Sequence, residues 1–147
     1  MTVGVDRDLS WAGWATYTPS WTSTGTQPVM GNGSSVGRYR RIGTTGFLNG
    51  VLTAGTTTTF GTGEWRLSLP SGWTARTLTE GYQIGHTLMS CAGNTYSGNC
   101  WSTSASTVLR LVTNAAIPAS VTASAPDGWL ATSANWLSFN ITLELAT

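Results

Sequence analysis

The chain has 147 residues, 40% hydrophobic and only 9% charged, with seven basic residues against six acidic ones and a net charge of +1. That balance gives no electrostatic basis for general nucleic-acid or membrane-surface binding. No apolar run reaches the roughly 20 residues that span a bilayer.

One domain of this size can bury a real core. Thr, Val, Trp and Tyr suit pleated strands, and Gly, Asn, Ser and Pro punctuate them, so an all-β domain is expected. Every basic residue is an arginine. Low charge with high apolar content admits two readings, a surface covered by partner subunits or a Thr/Ser-rich surface that is polar without charge.

Residues 1–13 read as a terminal arm and residues 14–147 as a single domain. The opening Met-Thr-Val-Gly-Val-Asp-Arg-Asp lacks a basic start followed by an apolar stretch. It does not read as a signal peptide, and synthesis in the producing cell's cytoplasm follows. From Trp14 to Gly43 the chain sets Trp14, Tyr17 and Trp21 around Pro19, which argues against a helix. These aromatics read as anchors that dock on a sheet or a neighbour. Gly31-Asn32-Gly33 supplies a tight turn. An extended polar run follows, with Arg38 and Arg40 on one face, read either as a wet strand face or as interfacial arginines.

From Gly46 to Ala54, Phe47 and Val51 alternate with Leu48 and Leu52, a strand apolar on both faces. Thr56 to Gly63 forms a loop. Trp65, Leu67 and Leu69 then share one face against Glu64, Arg66 and Ser68, and Pro70 ends the strand. Tyr82, Ile84, His86 and Leu88 are expected on one face of the next strand. Leu109 and Leu111 oppose Val108, Arg110 and Val112, and Val121, Ala123 and Ala125 read as a short strand. The clearest pattern comes last: Leu137, Phe139, Ile141, Leu143 and Leu145 alternate with polar residues as a core strand. About eight strands with frequent turn signals predict an antiparallel β-sandwich of jelly-roll type.

Residues that do chemistry are sparse. One histidine, two cysteines and six carboxylates are scattered along the chain. They supply neither a nucleophile–base set, a zinc ligand set nor a phosphate loop, so the reading is a non-enzyme with no cofactor and no metal. His86, on an apparently apolar face, reads as a core or interface residue. Cys91 and Cys100 flank AGNTYSGN, which has hairpin-tip composition, so a disulfide is expected, worth about 2–3 kcal/mol; the other reading is two unrelated thiols. The eight tryptophans admit a sugar-stacking role, but most border or join strands.

The order W-x-x-Y-T-P-x-W, G-N-G, G-R-Y-x-x-I-G, followed by LTAGTTTTFGTGEWRLSLP at Leu52–Pro70, resembles a module of bacteriophage virion proteins. Such modules occur chiefly in minor tail and tail-fibre proteins of phages of actinobacteria. The two blocks cover the first half of the chain closely. The resemblance implies a structural protein on the particle exterior, a capsid decoration or small tail or fibre-tip protein. It also implies a homotrimer that contacts a major capsid or tail protein. No stalk-like repeat precedes the module, which favours a small separate protein. The alternative is a carbohydrate-binding module that recognises a host surface glycan.

Overall fold

The computed structural model describes residues 13–77, 82–103 and 105–147. The expected arm therefore lies outside the described residues, apart from Gly13. Among the described residues nine strands form: β1 (Ala15–Tyr17), β2 (Trp21–Ser23), β3 (Ser34–Ile42), β4 (Thr45–Thr53), β5 (Trp65–Ser68), β6 (Tyr82–Cys91), β7 (Asn94–Ser102), β8 (Val108–Thr113) and β9 (Trp136–Glu144). All join one sheet in the order β1-β3-β4-β9-β6-β7-β8-β5-β2, and each pairing is antiparallel.

The all-β antiparallel class holds, but the β-sandwich does not. The molecule is a single, strongly curled sheet, a half-barrel whose inner face closes on itself. Alternation along a strand reports which side chains are buried, not which strands pair, and a curled sheet alternates as a sandwich does. Val121 to Ala125 also forms no named strand; Ser120, Thr122 and Ala125 make only isolated bridges there.

The curl is imposed where the chain links the two ends of the sheet. β1 and β2 sit at opposite edges, yet only Thr18, Pro19 and Ser20 separate them in sequence. Four Cα steps reach at most about 14 Å, so the edges must approach. The link is bonded to both sides. Ser35 Oγ donates to the Pro19 carbonyl at 2.7 Å, and Ser68 N donates to the Ser20 carbonyl at 2.9 Å. Pro19 is buried in this seam.

The inner face is the core. β9 contributes Leu137, Phe139, Ile141 and Leu143, with Leu145 just beyond it; β4 contributes Leu48 and Leu52, β5 Trp65 and Leu67, and β8 Leu109 and Leu111. Each large side chain buried this way stabilises the fold by about 1.5–3 kcal/mol. Glycines on the inner face make room for rings. A Cβ on Gly50 would meet the Phe139 ring at 2.5 Å, and one on Gly46 would meet Trp73.

The two sequence blocks, Trp14 to Gly43 and Leu52 to Pro70, meet in space. Asn32 Oδ1 accepts from Thr57 N at 3.0 Å and Thr57 Oγ1 at 2.9 Å, while Thr58 Oγ1 donates to the Met30 carbonyl at 2.6 Å. The threonine run is thus a clamp on the Gly31-Asn32-Gly33 turn, where Gly31 takes the positive φ of 59° that favours glycine.

Candidate functional site

Trp14, Tyr17, Trp21, Arg38 and Arg40 divide between two environments. Trp14 is exposed beside the β1–β3 edge, with the Arg38 guanidinium 6.0 Å from its ring centroid. Such an exposed cation–π contact is worth about 0.5–1 kcal/mol. Arg38 and Arg40 point outward from β3, as does Val36, which is 51% exposed. Arg40 is half-buried and its Nε has no hydrogen-bond partner.

Among the described residues, Arg66 and Arg110 meet Glu64 and Arg76 meets Glu144, whereas Arg38, Arg40 and Arg41 meet no carboxylate. Among the described residues β1 pairs only with Gly37, Arg38 and Tyr39, and on one side of that short patch the Ser35 hydroxyl meets the Pro19 carbonyl.

Tyr17 and Trp21 dock inside the chain itself. The Tyr17 ring lies edge-on to Tyr39 at 5.7 Å. Its hydroxyl is buried without a partner, and burial, with the Cys100 thiol nearby, pushes its pKa well above 10.0. Trp21 meets Trp65 edge-on at 4.6 Å and Phe60 at 5.9 Å, with Trp129 4.9 Å from Trp65. These rings border a cavity of about 20 Å³, room for one water at most.

The Cys91–Cys100 disulfide does not form. Both are free, buried thiols. Cys91 faces Asn94 beside the turn and Cys100 faces Gly85, so six residues of β6 separate their levels, about 20 Å along a strand. Burial pushes the Cys100 pKa up to about 12 and raises that of Cys91 as well.

His86 is likewise not where the alternation put it. The β6–β7 ladder shifts register between Gln83 and Gly85. One extra residue there buries Ile84 and leaves His86 and Leu88 exposed. His86 Nδ1 lies 3.2 Å from Asn99 Oδ1. The two side chains share a hydrogen bond whose donor depends on the imidazole tautomer and the amide orientation.

The register places His86 in a row the sequence does not announce: Arg38 opposite Asn49, Asn49 opposite Asn140, Asn140 opposite His86, His86 opposite Asn99. Beside it, Ile84, Gly85, His86, Asn140 and Thr142 line an open depression of about 510 Å³. Across β4, β9, β6 and β7 the one formally charged residue is Glu144, at the end of β9 and paired to Arg76 at 2.6 Å.

Two further polar clusters tie loops to the barrel. Glu64 accepts from Arg110 Nη2 at 2.8 and 2.9 Å and from Ser120 Oγ at 2.8 Å. The Ser120 hydroxyl foremost, then Arg110 and Arg66, hold its pKa below 4.5 against the opposing effect of burial. Asp127 accepts from Tyr96 Oη at 3.0 Å, and the Gly128 amide foremost holds its pKa below 3.8. Among the described residues no three His, Cys, Asp or Glu side chains gather as metal ligands. No family model, curated protein or solved structure matches the chain.

Proposed function

We propose that this protein is a non-enzymatic structural component of a bacteriophage particle, displayed as a homo-oligomer on the exterior of the capsid or tail. It acts by protein–protein assembly, through the β1–β3 edge. The observation that supports this reading is the character of that edge. Trp14 and Arg38 stand together and exposed, Arg40 meets no carboxylate among the described residues, Val36 is exposed, and β1 covers only Gly37 to Tyr39 of β3. Aromatic residues and arginine are the types enriched at protein contacts, and an open strand edge accepts a further strand or loop. The sequence blocks that resemble phage virion modules are the ones that build and brace this edge, through the Asn32–Thr57 clamp.

Light scattering on the purified protein should give a multiple of the 15.5 kDa chain mass. Trp14→Ala with Arg38→Ala should lower that mass and reduce occupancy on phage particles, with the β circular-dichroism spectrum of the folded chain retained. A parent protein of monomer mass that never labels particles would overturn the reading.

A further inference from the structure

We propose that the outer-face depression over β9 and β6 is a binding site for a neutral oligosaccharide, with Asn140, His86 and Thr142 as its polar floor and Trp101, outward on the adjacent β7, as a stacking ring beyond it. The inference stands on this face alone and uses none of the edge residues assigned to assembly.

The chemistry of the lining selects the ligand. Ile84, Gly85, His86, Asn140 and Thr142 present amide, imidazole and hydroxyl groups with no lysine, arginine or carboxylate among them. An anionic ligand would find no ammonium or guanidinium there, and a cationic one no carboxylate. Asn140 and Thr142 are exposed, and no side chain of the described residues bonds them. An amide offers two donors and an acceptor, a hydroxyl offers both, and the second imidazole nitrogen donates or accepts with the tautomer. That set matches vicinal hydroxyls, each of which donates and accepts at once.

Aromatics stand on either side. Phe47 faces Thr142 across the β4–β9 pair, half-buried on the outer face. On β7, Trp101 stands two residues beyond Asn99 with the same outward parity, and is 38% exposed. An amphipathic ring at the rim of a polar floor is the arrangement that takes the apolar face of a pyranose while its edge hydroxyls reach the floor. From Phe47 on β4 to Trp101 on β7 there are three inter-strand intervals, about 14 Å. That is the reach of a short oligosaccharide rather than one sugar. The floor is also held still. A Cβ on Gly85 would lie 2.2 Å from the Asn140 carbonyl oxygen, so glycine lets β6 seat tightly against β9 beside the bulge.

The test is an array of immobilised neutral di- to tetrasaccharides, with sulfated and sialylated ones as counter-probes, followed by NMR titration with the neutral compound retained best. Asn140→Ala and Trp101→Ala should each weaken binding about tenfold or more, with melting temperature and oligomer mass unchanged. Trp14→Ala should leave sugar binding intact, so failure of the assembly reading and failure of this one are distinguishable. Retention of no neutral sugar at millimolar concentration, retention of anionic sugars only, or unchanged affinity in both variants would overturn the inference. So would a change of oligomer mass in Asn140→Ala, which would mark the face as a contact between copies.

Discussion

Truncation of Trp21 separates an anchor that docks within the chain from one that docks on a neighbour. Removing a buried tryptophan costs about 3–5 kcal/mol, and Trp65→Ala should cost that in full. Trp65 is 2% exposed, it touches Trp21, Phe60 and Trp129, and its Nε1 donates to the Phe60 carbonyl at 3.1 Å. Trp21 sits in the same cluster but differs in two respects. It is only half-buried, and its Nε1 is shut away with no partner. Deleting an unsatisfied donor relieves about 1–3 kcal/mol, so Trp21→Ala should cost about 2 kcal/mol net.

At about 2–4 °C per kcal/mol for a chain of this size, Trp21→Ala should melt roughly 4–8 °C below the parent, and Trp65→Ala roughly 8–16 °C below. Circular dichroism melts at several protein concentrations supply the decisive control. A contact within the chain gives a shift independent of concentration, whereas a subunit contact gives one that grows on dilution. A concentration-dependent shift for Trp21→Ala, or a loss as large as that of Trp65→Ala, would refute the intrachain assignment.

Two further outcomes follow from the polar clusters and the thiols. The folded pKa of Glu64 is lowered, so the stability it contributes is fully present above its ordinary 4.5 and is lost as pH falls through the lowered folded value. Urea unfolding across that acid range should show a shallower decline for Glu64→Gln than for the parent; parallel curves would show that the carboxylate does not couple to folding. Cys91 and Cys100 should label slowly with a thiol reagent in the native protein and yield two thiols in denaturant without reductant, since both are buried and unbonded. Recovery of no thiol in denaturant would restore the disulfide.

The inward faces were legible wherever alternation ran undisturbed. Leu137 to Leu145 and Trp65 to Leu69 are buried as their period of two requires, because burial of one sheet face leaves its mark on every second residue. Two readings failed for local reasons. A single extra residue at the β6 bulge inverts the parity between Ile84 and His86, and nothing in Tyr-Gln-Ile-Gly-His marks which residue is extra. The β6–β7 turn is made by Ala92 and Gly93, with φ of 49° and 80°. That conformation favours Asn-Gly, so an alanine there hides the turn, and the polar stretch after it reads as the tip instead.

The outer-face row was out of reach for a different reason. Asn49, His86, Asn99 and Asn140 are far apart in sequence, and each alone is an ordinary polar residue on a wet strand face. They align only because β9 inserts between β4 and β6, so that the last strand of the chain joins two hairpins at the centre of the sheet. That insertion also explains why the centre carries so little charge. Arginines and carboxylates gather toward β3, β5, β8 and the end of β9, where ion pairs or an open edge receive them. The four middle strands are left with amides, hydroxyls, one imidazole and two aromatics on neighbouring rungs. The uncharged set is what a ligand rich in hydroxyl groups would require, and this ties the strand order to the proposed recognition of sugar.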